Sequence, residues 1–347
     1  MGRENGVRGT ERKKPSMKLV VVLVGALALA GLTAAPPALA GTQHSAAGPD
    51  GGPALTVPAP TLSRSLACVN GRAGHGRHRP VLLVHGTGLT PAQSWAWNYE
   101  AVLPAAGYPT CTVALPDSAL GDIQVASEYV VAAVDTMAAR WHSPVDIIGH
   151  SQGGIEPRWA RKWWPGLRAK VNHYIGLASP NHGIYAADAC ADSGDCWPAI
   201  WQLAQGSHFL TALNRGGEAP GPTSYTDIYS ITDDLVEPAA VGPTAALTGG
   251  ANVANVSVQS VCPGRYVNHG GMLADAVVYA LVIDTLTHPG PLDPKLVPIS
   301  VCAQTFMPGT SPPADVAGNA EVYTNAAQAF DAHPGVHSEP PLAPYAR

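Results

Sequence analysis

Ser151 stands at the centre of Gly149-His150-Ser151-Gln152-Gly153, directly after the apolar run "VDIIGH" and before a segment with helical character. A serine raised on a tight turn between a strand and a helix is the placement a nucleophilic hydroxyl requires. The flanking glycines let the two elements approach and let the serine backbone take a strained angle. In a chain with 37 glycines the five letters alone are a weak signal, and a plain Gly-rich turn would also produce them. The strand before and the helix after carry the inference.

A serine hydroxyl at its ordinary pKa attacks poorly. It needs an imidazole to take its proton and a carboxylate to fix that imidazole's tautomer. On a strand-turn-helix elbow the partners follow in the order serine, acid, histidine, each beyond a later strand. The histidines late enough are His269, His288, His333 and His337. His269, in "YVNHGGML", follows the apolar stretch at 255–261 and precedes the final helical pattern, so it is the favoured base. The strand-like "DIYSIT" delivers Asp233 and Asp234 side by side. Asp233 is favoured as the acid, with Asp234 held structurally or solvated. Asp188, Asp192 and Asp195 fall in an apparent insertion and Asp275 follows the base, so all four fit less well.

Attack on a carbonyl creates an oxyanion that needs preorganised donors. The backbone N–H of Gln152 is one. The other is expected from His85-Gly86-Thr87-Gly88, after the first long strand, where Thr87 could offer both N–H and hydroxyl; a plain glycine turn is the alternative there.

These groups must be held by a scaffold, and the periodicity describes one. Runs greasy on both faces ("VLLVHG" at 81, "CTVAL" at 111, "VDIIGH" at 145, "HYIGLAS" at 173, "DIYSIT" at 227, "NVSVQSV" at 255) alternate with helical patterns near 127–141, after Ser151 and near 271–286. Val130, Val134, Met137 and Trp141 form one helical stripe. This is an α/β chain with a mostly parallel central sheet and helices on both faces. The alternation fails between Pro180 and Tyr225, which reads as a small cap insertion (about 181–224) over the carboxyl edge of the sheet. Its apolar residues include Trp201 and Phe209, which suit an acyl chain or plain core equally.

The ends read differently. Arg12, Lys13, Lys14 and Lys18, the apolar run Leu19 to Leu32 and Ala38-Leu39-Ala40 form a secretory signal peptide over 1–40; the run is too short for a bilayer span. Met17 is an alternative start. Residues 41–65 read as a flexible Gly/Pro-rich lead-in, 66–305 as the catalytic domain and 306–347 as a partly mobile Pro/Ala-rich tail. Without residues 1–40 the chain keeps 14 basic and 23 acidic residues, a net charge near −9, which excludes nucleic acid as a partner. Six cysteines in an exported chain are expected to pair, and proximity suggests Cys190 with Cys196, Cys68 with Cys111 and Cys262 with Cys302.

"PVLLVHGTGLTPAQSW", "GHSQGG", "YSITDDLVEP" and "VNHGG" together resemble the secreted α/β-hydrolase lipases typified by Candida lipase B and its bacterial relatives, over about 66–305. The resemblance implies a Ser151, Asp233 and His269 triad and an oxyanion hole from Thr87 and Gln152. It also implies disulfides 68–111 and 262–302, and Leu235 and Val236 as walls of the substrate pocket. Two departures touch that pocket: His150 stands where the lipase B type has Trp, and Leu89 replaces a small polar residue. The tail is shorter than that type's capping segment, which implies a more open mouth, and the 190–196 loop is an addition. "SPNHG" at 179–183 resembles bacterial lipases instead, with His182 structural.

The expected function is a secreted serine esterase or lipase acting on an ester or lipid substrate, including one at a lipid–water interface. No metal or organic cofactor is required and no transmembrane anchor remains in the mature chain. A polyester depolymerase or acyltransferase could use the same machinery. A non-enzymatic binding module on this fold is disfavoured by the intact nucleophile, base and acid candidates.

Overall fold

The computed structural model describes residues 48–71, 78–236 and 244–347; the signal-peptide segment lies outside them. Among the described residues seven strands form one sheet: β1 (Leu66–Val69), β2 (Val81–Val84), β3 (Thr110–Val113), β4 (Val145–His150), β5 (Val171–Leu177), β6 (Ser224–Tyr229) and β7 (Val253–Ser257). Their spatial order is β1-β3-β2-β4-β5-β6-β7. β1 runs antiparallel to β3 and every other pairing is parallel. β2 and β4 are buried along their whole length. That burial explains the unbroken apolar run of β2 and Val145, Ile147 and Ile148 of β4, since neither face meets water; Asp146, a buried polar exception, accepts from the Asn172 amide and the His173 N–H.

Successive residues of β2 enter opposite cores. Leu82 and Val84 pack with one cluster, and Val81 and Leu83 with the other. The first face is covered by α1 (Ala59–Arg64), α4 (Ile123–Trp141), α5 (Ile155–Trp163) and α8 (His208–Asn214). The second is covered by α2 (Pro91–Trp95), α3 (Tyr99–Ala105), α9 (Val258–Val261) and α10 (Ala276–Thr287). α6 (Tyr185–Asp192) and α7 (Pro198–Leu203) lie with α8 between β5 and β6, in the segment expected to be an insertion, and α11 (Pro312–Ala332) follows β7 and α10.

Local chemistry sets the helix limits. Asp122 caps α4 by accepting the Gln124 N–H, and the helix ends at His142, which turns left-handed with φ 50°. α4 therefore begins a turn earlier than its apolar stripe implies. Asp275 accepts the N–H groups of Val277 and Val278 and starts α10, later than the periodicity suggests, because Gly270–Leu273 forms a separate 3-10 turn. The apolar stretch at 255–261 is only partly strand: Ser257 accepts the Ser260 N–H and converts its second half into α9.

Both ends of the domain are more ordered than their composition implies. Residues 48–65, read from sequence as flexible, are pinned: Glu128 accepts the N–H groups of Thr56 and Val57 and the Thr56 hydroxyl, the Trp164 indole donates to the Pro53 carbonyl, and Lys170 pairs with Asp50. The C-terminal stretch is not a loose tail. It forms the 21-residue helix α11 and then a hook in which the Tyr345 ring packs 5.6 Å from the rings of Trp163 and Trp164 and Ala346 is buried. Alanines read as tail filler are good helix formers, and an aromatic cluster on α5 gives the final residues something to bind.

Disulfides join Cys68 to Cys111, Cys190 to Cys196 and Cys262 to Cys302. The first ties β1 to β3 and the last secures the loop after α9. Among the described residues no helix is long and apolar enough to cross a membrane.

Candidate active site

Ser151 directly follows β4 and holds a φ of 55°, in the left-handed region that side chains rarely occupy. The elbow closes because two positions lack side chains. A Cβ on Gly149 would come within 2.2 Å of the Gly153 carbonyl oxygen, and one on Gly153 within 2.2 Å of the Val84 carbonyl oxygen. The strain lifts Ser151 to the floor of an apolar cavity of about 260 Å3, which His269 also lines.

His269 follows α9 and the Cys262 disulfide; Asp233 follows β6. Neighbouring strands bring the two loops together, and Thr232 fastens them by donating its hydroxyl to the Val267 carbonyl and accepting the Val267 N–H. The His269 Nδ1–H donates to Asp233 Oδ2 at 3.0 Å. The other oxygen of Asp233 accepts the N–H groups of Leu235 and Val236, each at 2.8 Å. Burial alone would raise the Asp233 pKa. The His269 imidazole and the two amides outweigh it and hold the carboxyl below its ordinary value. Asp234 faces elsewhere: its Oδ1 accepts the His269 backbone N–H and the Tyr323 hydroxyl. The adjacent aspartates thus divide the work, one on the ring and one on the backbone.

Thr87 and Gln152 meet across the elbow, the Thr87 hydroxyl donating to Gln152 Oε1 at 2.5 Å. Gln152 Nε2 in turn donates to Glu156 Oε1 at 2.8 Å. His150 donates from Nε2 to the His269 carbonyl, its ring 4.7 Å from that of His269. Burial, reinforced by His269, lowers the His150 pKa to about 3 and keeps it uncharged.

Leu89, His150, Leu235 and Val236 all line the cavity. So do Ile184, Ala187, Ile200 and Leu203 of the insertion, with Val322, Ala326 and Phe330 of α11. Trp201 and Phe209 do not. Phe209 stacks on Trp159 at 4.4 Å within the core, and the Trp201 indole donates to the Val336 carbonyl. α11 covers the side where a short tail implied an open mouth. Its contribution was hidden because a helix in an Ala-rich stretch gives little amphipathic signal. His182 has a structural setting, contacting Glu218 and the Thr244 carbonyl. Nearby, Arg158 donates to Asn181 and Asn214, and Asn181 donates to Asp227, tying the insertion to β6. Glu156 also escaped the sequence reading, because an acid in the first turn of a helix normally reads as a solvated dipole partner. Its spacing of four from Gln152 is the signal that could have found it.

Residues 130–277 match the family model Lipase (class 2). Lipase B of Pseudozyma antarctica is 31% identical over 301 residues, spanning 85% of this chain and 86% of that protein. The chain belongs to the lipase B family. The crystal structure of Aspergillus fumigatus lipase B superposes with a TM-score of 0.75 at 29% identity, covering 84% of this chain and 72% of that one. This lipase B family member is a carboxylic ester hydrolase of the α/β-hydrolase fold.

Proposed function

We propose that this lipase is a secreted enzyme that cleaves carboxylic esters of apolar acyl groups through a Ser151, His269 and Asp233 triad. His269 takes the Ser151 proton as the hydroxyl attacks the ester carbonyl, and Asp233 holds the imidazole in the required tautomer and stabilises its charged form. The oxyanion of the tetrahedral intermediate is received by the Gln152 backbone N–H and by Thr87. His269 then protonates the departing alcohol, and a water activated by the same imidazole hydrolyses the acyl-enzyme.

The observation that carries this reading is the 3.0 Å contact of His269 with an ionised Asp233 at the rim of the apolar cavity that Ser151 also lines. Apolar walls from Ile184, Ile200, Leu203, Leu235 and Val236 support an acyl chain as the occupant. Three disulfides support an oxidising destination, and with it export by the segment at 1–40.

A panel of p-nitrophenyl esters from acetate to palmitate tests the proposal, with Ser151→Ala as control. Hydrolysis abolished in the variant is expected. Activity retained in Ser151→Ala overturns the assignment.

A further inference from the structure

Glu156 takes no part in the mechanism above, yet it is fully buried one turn beyond the nucleophile. Among the described residues its carboxyl has a single side-chain partner, the Gln152 amide, and its second oxygen meets no donor. A buried ionised carboxylate normally gathers several donors. Gln152 is the middle of a three-member chain from Glu156 to Thr87, with contacts of 2.8 and 2.5 Å. An amide can occupy such a chain in two senses. As it stands, –NH2 faces the carboxyl and the amide oxygen holds the Thr87 hydroxyl proton. A half-turn about the last side-chain torsion keeps the heavy-atom distances and reverses every donor.

We propose that Glu156 is a positioning residue for the oxyanion hole: its neutral carboxyl turns the Gln152 amide so that –NH2 faces Thr87, leaving the Thr87 hydroxyl proton free for the oxyanion. In that sense the carboxyl O–H donates to Gln152 Oε1 and Gln152 Nε2 donates to Thr87 Oγ1. When the carboxyl loses its proton to solvent it can only accept. The amide turns back, and Gln152 Oε1 recaptures the Thr87 proton. The hole then has one donor fewer. The inference rests on the reading of Thr87 and Gln152 given under the proposed function.

The surroundings favour the neutral form near pH 7. Burial pushes the Glu156 carboxyl up to about 8, opposed only by the Gln152 contact and its own backbone N–H. The buried titratable groups on the elements packed around it are Glu128 and Tyr129 of α4, Asp146 and His150 of β4, and Arg158 and Arg161 of α5. None of them contributes to this shift. Glu128 is bound to Thr56 and Val57, Asp146 to Asn172, His150 to the His269 carbonyl, Arg158 to Asn181 and Asn214, and Arg161 to Tyr225.

The test is the pH dependence of kcat for p-nitrophenyl butyrate, read at the isosbestic wavelength from pH 6 to 10. Wild type is expected to fall at least about tenfold to a lower plateau, part of the roughly 100-fold value of one oxyanion donor, with its midpoint near 8. Glu156→Gln, neutral at every pH, should lack that limb. Glu156→Leu, which leaves Gln152 unanchored, should lose kcat with little change in KM, and Glu156→Gln should recover part of the loss. Thr87→Val, which keeps the direct Glu156–Gln152 contact, gives a second reading: the wild-type advantage over it should be large at pH 6.5 and shrink severalfold by pH 9.5. A limb that persists in Glu156→Gln, or a Thr87→Val deficit independent of pH, overturns the proposal while Ser151 chemistry stands. A wild type that cleaves no ester removes the proposed function and this inference with it.

Discussion

The Tyr323 hydroxyl of α11 donates to Asp234 Oδ1 at 2.9 Å, and the same oxygen accepts the His269 backbone N–H at 2.9 Å. The helix that roofs the cavity is therefore bolted to the loop that carries His269. Gly270 adds a second tie, its N–H donating to the Tyr323 oxygen at 3.2 Å. Removing the hydroxyl in Tyr323→Phe is expected to destabilise the fold by about 1 kcal/mol, the net value of a typical protein hydrogen bond. Thermal melts and butyrate kinetics together check it. The Tm should drop by a few degrees and kcat by only a few-fold, because the Asp233 contact remains.

The neighbouring aspartates should separate sharply. Asp233→Asn removes the charge opposite Nδ1 and favours the wrong tautomer, so kcat should fall by about 10³ to 10⁴. Asp234→Asn keeps an acceptor for the His269 N–H and should lose less than about tenfold. Equal losses in the two variants would show that the ring does not rely on Asp233 alone.

Stability should decline from mildly acidic to alkaline pH. Burial raises both Glu156 and Asp227 to about 8, against ordinary values of 4.5 and 3.8. For Asp227, Arg158 and Asn181 oppose the shift and Glu218 adds to it. Between the ordinary and raised values the folded protein binds more protons than the unfolded chain, so unfolding free energy falls as pH rises from about 4 towards 8. Asp233 works oppositely: its lowered pKa contributes stability above its ordinary value that is lost as pH drops further. Urea midpoints at pH 5, 7 and 9 check this. Glu156→Gln and Asp227→Asn should each flatten the alkaline decline, and unchanged slopes in both would refute it.

Chain-length preference should respond to the insertion. Ile200 lines the cavity from α7, and Ile200→Trp narrows that wall. Palmitate hydrolysis should fall by at least about tenfold relative to acetate, in line with the 1 to 3 kcal/mol that separates ligands differing by a methylene in a tight pocket. The ratio of kcat/KM along the ester series is the measurement.

The fold was legible where burial dictates composition. β2 reads as an unbroken apolar run and β4 as a largely apolar one because both faces are covered, and the order of elements then allowed only a few late histidines and aspartates as partners for Ser151. What sequence could not supply was the direction in which side chains point. Two adjacent aspartates look alike until one is seen to face a ring and the other a backbone N–H. Phe209 and Ile200 are equally apolar, yet the first stacks on Trp159 and the second borders the cavity. The contacts of the terminal segments were hidden for another reason. Their placement comes from long-range partners, Glu128 for Thr56 and Trp163 and Trp164 at the end of α5 for Tyr345, which no local window contains. Glu156 was hidden for a different reason: it looks like a solvated first-turn acid, and its burial and its contact with Gln152 four residues earlier set it apart.

The hook at the C-terminus also bears on how the enzyme can be handled. Ala346 is sealed against the tryptophan face and Arg347 emerges directly from it, so a purification handle or resin linkage fused there would tug on the plug that closes one side of the scaffold. Attachment through the exposed outer residues of α11, such as Val316, would instead load the roof of the cavity. A gentle tether belongs on neither.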